Sequence, residues 1–315
     1  MKAVILTDFD REPAYTDVPT PEPGPNEVRI RVRASSVNGF DVSMADGNTK
    51  GMMEHEFPVT LGRDYAGVID QVGDGVTRYA VGDEVFGFVF TAPLHEGAWA
   101  EYLVVPEDMF VSPKPARLGL PEAGALALAG VAALKAVDGI DPAKGDRILI
   151  VGATGGVGGY AVQLAVARGA HVIATATAED DSRVRGLGAQ ETVDFTKDDV
   201  ARAVRERYPD GVDALIDLVT PTDLFRPMAE LVRDGGRIGT TTGAGDADAL
   251  RARDIALTGV WASAEPETLA RLGGHADSGQ LDVSVGKVYP LAEAATGIAD
   301  FRTGTHGKIG ISIGD

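Results

Sequence analysis

Ile148-Leu149-Ile150-Val151-Gly152-Ala153-Thr154-Gly155-Gly156-Val157-Gly158-Gly159 opens on four consecutive apolar residues and closes on a run of glycines. The apolar run reads as a strand buried on both faces, the glycines as a sharp turn, and the alanine-containing segment that follows as a helix. In that context Gly155 and Gly156 let the main chain approach a diphosphate closely, and Gly158 lets helix and strand pack. The helix N-terminus adds partial positive charge. The bound group is expected to be a dinucleotide, held by Thr154, Gly155, Gly156, Val157 and Gly158. Ala153 stands where the usual fingerprint has its first glycine, and a methyl there shifts the turn without blocking it.

Downstream of this turn, strands and helices alternate. Strands are expected at 147–151, 171–175, 192–195, 214–218 and 237–241, with helices at 158–168, 181–187, 200–208 and 224–232. Buried apolar runs separated by helices of about ten residues demand a parallel sheet with both faces covered, so this half is α/β and doubly wound. An alanine-rich helical stretch over 121–137 precedes it.

Upstream, the first 115 residues read as short strands punctuated by turns. Val28-Arg29-Ile30-Arg31-Val32-Arg33 alternates perfectly, which makes it a half-buried strand. The four prolines of 19–25 confine that segment to a surface loop. Runs at 65–72, 84–90 and 100–105 are bounded by glycine turns, and a final strand covers 308–313.

Composition narrows the chemistry. The chain has 315 residues, a net charge of −18 and no cysteine. Without cysteine there is no disulfide scaffold, no Cys-ligated zinc, no iron–sulfur cluster and no thiol nucleophile. The acidity argues against nucleic-acid and anionic-membrane partners. No apolar run reaches the ~20 residues of a membrane span, and no signal-peptide pattern opens the chain, so the cytoplasm is the expected compartment.

The second strand of the α/β half ends in Thr175-Ala176-Thr177, where an NAD enzyme would carry an acidic residue for the ribose hydroxyls. Threonines leave room for a 2′-phosphate and Arg183 or Arg185 could supply countercharge, so NADP(H) is the expected cofactor. Glu179, Asp180 and Asp181 oppose that choice.

Several motifs then carry a family likeness across essentially the whole chain. Ser36-Val37-Asn38 with Asp41, Leu61-Gly62-Arg63-Asp64-Tyr65-Ala66-Gly67, Val81-Gly82-Asp83-Glu84-Val85-Phe86-Gly87, Leu187-Gly188-Ala189 and Gly307-Lys308 join the glycine turn. With them the sequence resembles the zinc-independent quinone oxidoreductase branch of the medium-chain dehydrogenase/reductase superfamily. The resemblance implies a GroES-like β-barrel over 1–117 and 266–315, and a Rossmann NADP-binding domain over 118–265, with the cofactor in the cleft between them. It implies no metal, since Asn38 and Arg63 stand where zinc-dependent relatives have ligands.

Without a Lewis acid the acceptor should be a quinone or another conjugated carbonyl, whose product anion is delocalised. Candidates for orienting that acceptor are Asn38, through its amide, and Arg63, if its guanidinium reaches the ligand. A surface ion pair with Asp64 or another neighbour is the preferred alternative for Arg63. The resemblance also implies that Thr240, Thr241 and Gly243 contact the nicotinamide half, with Asn38 and Lys308 as further cofactor contacts. Tyr65, Trp99 and Tyr102 could wall a pocket for a flat ring or simply pack the core. Ser43 and Val131 depart from the family's pocket and leave no obvious general acid, so the proton would come from solvent. Residues 255–261 are expected to pair two copies into a homodimer. Competing readings are an enoyl reductase acting on an acyl thioester and a nucleotide-binding redox sensor without turnover.

Overall fold

The computed structural model describes residues 1–263, 265–304 and 306–314. In chain order its strands are β1 (Lys2–Leu6), β2 (Ala14–Asp17), β3 (Glu27–Val37), β4 (Val59–Thr60), β5 (Asp64–Val72), β6 (Glu84–Phe88), β7 (Tyr102–Pro106) and β8 (Val111–Pro113). They continue as β9 (Arg147–Val151), β10 (His171–Ala176), β11 (Glu191–Asp194), β12 (Val212–Asp217), β13 (Val232–Thr240), β14 (Ala256–Gly259), β15 (Val285–Pro290) and β16 (Lys308–Ser312). The chain divides into two compact units, residues 1–131 with 263–279 and 283–315, and residues 132–262 with 280–282.

The first unit is built on β3. Its alternation predicts one buried face, and Val28, Ile30 and Val32 are buried while Arg31 is exposed. The strand runs on to Val37, pairing antiparallel with β5, β7 and β16, so that Ile309 of the closing strand lies opposite Val37. A helix, Gly39–Ala45, interrupts what the sequence suggests is an all-strand region. Its start is signalled by Asn38-x-x-Asp41, a polar residue followed three positions on by a carboxylate, which satisfies first-turn amides. Gly62 is required where β5 begins: its φ is +84° and an added Cβ would lie 2.1 Å from the Trp99 ring.

The second unit is a six-stranded parallel sheet in the order β11-β10-β9-β12-β13-β14. That is the Rossmann order, with its switch point between β9 and β12. Leu149, Ile173, Leu215 and Ile238 from four of these strands share one core cluster. The helix expected over 224–232 is much shorter: a 3₁₀ turn at Thr222–Leu224 leads into Arg226–Ala229. Val232 is already in β13, opposite Val212, because burying it in the core demands a strand there. No helix among the described residues is long and apolar enough to cross a membrane.

Candidate active site and nucleotide cradle

In the second unit, β9 ends in the turn 152–155 and a helix spans Gly156–Ala167. The first-turn amides of such a helix lack intrahelical acceptors, and its N-cap, Gly155, has no side chain to cap them. A Cβ at Gly158 would stand 2.1 Å from the Gly152 carbonyl oxygen, so the turn and helix touch through that glycine. A Cβ at Gly155 would have only that carbonyl, 3.6 Å away, so space lies beside the turn. Free amides, an uncapped dipole and open space fit a dinucleotide diphosphate.

The end of β10 braces this cradle. Thr175 is buried and its hydroxyl oxygen accepts from the Gly152 amide at 3.0 Å. Arg183 donates to the Thr154 carbonyl at 2.7 Å and to Asp180 at 3.0 Å, while the Thr177 hydroxyl donates to Asp180 at 3.2 Å. Arg185 is spent on Asp181 and Thr192. Beyond Thr177 lies a cavity of about 370 Å³ whose lining includes Asp181, Asp194, Asp198 and Arg207. Hydrogen bonding from Lys197 and Thr196 holds the Asp194 carboxyl down at about 2.

Across the switch point, the buried Asp217 ends β12 and accepts from the amides of Val219 and Thr220. The Thr241 amide donates to the Asp217 carbonyl at 3.3 Å. Thr240 is buried and pairs its hydroxyl with Thr242, whereas Thr241 and Gly243 are exposed past the end of β13. The structure thus gathers Thr154, Gly155–Gly158, Thr175 and Arg183 around one turn. Thr240, Thr241 and Gly243 lie at the carboxyl end of a strand two places from β9.

The first unit holds a buried polar network. Asp64 Oδ2 accepts from Ser36 Oγ at 2.6 Å and Asn38 Nδ2 at 2.9 Å, and Asp64 Oδ1 accepts from the Leu128 amide at 2.6 Å. Lys308 Nζ donates to Asn38 Oδ1 at 2.6 Å and contacts Asp64 Oδ2 at 3.3 Å. The Asn38 amide N–H donates to Asp41 Oδ2 at 2.8 Å, and Asp41 Oδ1 stands 4.0 Å from Arg63 Nε. Arg63 donates to the Thr60 carbonyl at 2.9 Å and sits over the Phe40 ring. Burial, opposed by the Arg63 charge, raises the Asp41 carboxyl to about 6, and burial lowers Arg63 to about 10.

Two family models match this chain: the alcohol dehydrogenase GroES-like domain over residues 24–116 and the zinc-binding dehydrogenase domain over residues 156–266. A chloroplast envelope quinone oxidoreductase homolog from Arabidopsis thaliana is 34% identical over 73% of this chain and 70% of its own length. A mitochondrial NAD(P)H oxidoreductase from Mus musculus is 41% identical over 55% of this chain. The chain spans about half the length of that relative, 47%. A solved structure described as an NAD-dependent alcohol dehydrogenase superposes with a TM-score of 0.89 at 31% identity, covering 100% of both chains. The chain belongs to the medium-chain dehydrogenase/reductase superfamily, in its quinone oxidoreductase branch.

For this superfamily member three sequence expectations need restating. Arg63 has no exposed surface, and its nearest carboxylate is Asp41, so the surface ion pair with Asp64 is replaced by a buried one. Nor can its guanidinium touch a ligand in this conformation. Lys308, expected as a direct cofactor contact, points its ammonium inward to Asn38 Oδ1 and is only 4% exposed. Tyr65 and Trp99 are core residues that donate to the Phe110 and Ser36 carbonyls, and Tyr102 stacks on Arg29. Among the described residues no three His, Cys, Asp or Glu side chains are grouped to hold a metal.

What sequence reading missed was the role of Asp64 as the common acceptor of Ser36, Asn38 and Lys308. The adjacency of Gly307-Lys308 and Ser36-Val37-Asn38 across an antiparallel pair was the available signal, but that register is not legible before folding.

Proposed function

We propose that the chain reduces quinones or other α,β-unsaturated carbonyls with a pyridine nucleotide, NADP(H) being the proposed form. The observation that carries this reading is the open glycine cradle at the Rossmann switch point, with Gly158 in contact with the Gly152 carbonyl. The nucleotide, when bound, supplies a hydride. The chain's own work is to hold and orient. Amides of the helix that starts at Gly156 bind the diphosphate, and Thr240, Thr241 and Gly243 border the nicotinamide half. Asn38 donates from its amide to the acceptor's oxygen. The acceptor's delocalised anion needs no Lewis acid and takes its proton from solvent, so the reaction is proposed to run without zinc. For NADP(H), the 2′-phosphate would take Arg183 in competition with Asp180.

The proposed assembly is a homodimer formed through β14, the last strand of its sheet. The test of function is consumption of NADPH or NADH on adding 1,4-benzoquinone or a short enone, followed by loss of the reduced nucleotide's absorbance. Turnover with either acceptor supports the reading. Binding of nucleotide without turnover across a broad acceptor panel would make the chain a sensor, and turnover only with acyl thioesters would make it an enoyl reductase.

A further inference from the structure

A lysine removed from water is costly unless its charge is paired and its protons are used. Lys308, 4% exposed on the closing strand, meets that demand in full. Its ammonium reaches Asn38 Oδ1 at 2.6 Å, Asp64 Oδ2 at 3.3 Å and the Val37 carbonyl at 3.4 Å. Asp64 is held in turn by Ser36, Asn38 and the Leu128 amide.

The consequence falls on Asn38. Its amide oxygen faces a group that can only donate, and its amide nitrogen faces a carboxylate. A flipped amide would set N–H against ammonium and C=O against carboxylate, so one orientation is enforced. One Nδ2 hydrogen goes to Asp64, and the second has no partner among the described residues. Asn38 is also the most open member of the network, at 7% against 4% for Lys308 and 0% for Ser36, Asp41, Arg63 and Asp64. Asn38 therefore keeps a single donor in reserve, polarised by a cation on its own amide oxygen.

We propose that Lys308, anchored by Asp64, is the positioning residue of the reaction: it locks and polarises the Asn38 amide so that the spare N–H stabilises the oxyanion formed on the acceptor. This rests on the reductase reading above. In that step an enone gains a hydride and its electron pair at the β-carbon. The C=C pair shifts to the adjoining bond, and the carbonyl pair comes to rest on oxygen. The nucleotide is oxidised by two electrons, and water then protonates the enolate carbon. A donor fixed before the charge develops favours the anion over the neutral carbonyl.

The experiment compares Lys308→Met, Asn38→Ala and the double variant. Lys308→Met is expected to lower kcat about 10- to 100-fold, leaving the nucleotide dissociation constant within about twofold. The double variant should be no slower than Asn38→Ala alone, because Lys308 acts through that amide. A second readout needs no turnover: a nitrophenol bound in the presence of NADP⁺, with its ionisation followed by colour. It should ionise at lower pH on the native protein than in water, and Asn38→Ala should abolish the shift although Lys308 is still present. Should Lys308→Met fail to fold, this second arm decides alone. Multiplying rate losses in the double variant would overturn the proposal, as would a shift that survives Asn38→Ala or a nitrophenol that ionises on the native protein as in water. A native protein that reduces no acceptor but shows the Asn38-dependent shift defeats the reductase reading and leaves the donor assignment standing.

Discussion

Arg63 Nε and Asp41 Oδ1 face each other across 4.0 Å inside the first unit, fully buried and without hydrogen-bond partners of their own. Their mutual charge is what compensates each for loss of water. Burial raises Asp41 to about 6, above its ordinary 3.8, with Arg63 pulling the other way. The folded protein therefore takes up this proton more readily than the unfolded chain. This group's contribution favours folding increasingly as pH falls from about 6 toward 3.8, and above 6 its burial cost stands in full. Asp41→Asn keeps an acceptor for the Asn38 amide but leaves the Arg63 cation alone. At pH 8 the loss of the charge facing Arg63 is offset by removal of the carboxylate's own burial cost, so the substitution is expected to change stability little there. At pH 5 the native carboxyl is largely protonated and relieved of its burial cost, a gain the amide variant cannot share, so the loss should be larger there than at pH 8. Urea unfolding of both proteins at the two pH values checks this, and equal losses would show that Asp41 does not change its charge between pH 5 and pH 8.

Arg183 governs nucleotide choice in the proposed scheme, because it is the cation that bridges the Thr154 carbonyl and Asp180 beside the glycine turn. Arg183→Ala is expected to weaken NADPH about tenfold and NADH less, since a charge-assisted bond to phosphate is lost only with the former. Asp180→Asn should act in the opposite sense by freeing the guanidinium. Fluorescence titration of both variants with both nucleotides decides it. Identical changes for the two nucleotides would remove Arg183 from the 2′-phosphate site.

Most of the α/β unit was legible because its signals are local. The apolar run 148–151, the glycines 152–159 and the strands that follow state their own period, and the structure puts β9 to β13 close to where that period predicts. The exception, the curtailed helix at Arg226–Ala229, arose where a tertiary demand to bury Val232 in β13 overrode local pattern. The polar network was only half legible. Asn38 stands out by its motif, but its partners Asp64 and Lys308 lie 26 and 270 positions away and meet it through the pairing of β3 with β5 and β16. The burial of Arg63 is hidden for the same reason. An arginine beside an aspartate suggests a surface pair, and nothing local announces that β5 begins inside the core.

Gly155 and Gly158 separate binding from folding. At Gly158 an added methyl carbon would overlap the Gly152 carbonyl at 2.1 Å, so Gly158→Ala must push the helix off the turn. That variant is expected to lose roughly 1–3 kcal/mol of stability as well as nucleotide affinity. Gly155 has φ −79° and open space, so Gly155→Ala should cost about 1 kcal/mol or less. Its methyl would nonetheless occupy the side on which the diphosphate approaches, and affinity is expected to fall at least about tenfold. Thermal unfolding and nucleotide titration, run side by side, distinguish the two. Unchanged affinity in Gly155→Ala would move the diphosphate away from this turn.

Trp261 tests the proposed assembly. It follows β14, which pairs with β13 on one side and, among the described residues, with no strand on the other, and its side chain is 71% exposed. An open strand edge offers unpaired amides and carbonyls to another chain, and a large aromatic beside it adds apolar area to such a contact. Two copies related by a two-fold axis would bring β14 against its own copy and join two six-stranded sheets into one. Trp261→Glu places like charges near that axis while changing a side chain that is mostly exposed. The native protein is expected to sediment at twice 32.8 kDa and the variant at 32.8 kDa, with unfolding of the variant monomer still cooperative. A native protein that sediments as the single chain would show that this edge stays open in solution and that the exposed tryptophan serves some other contact.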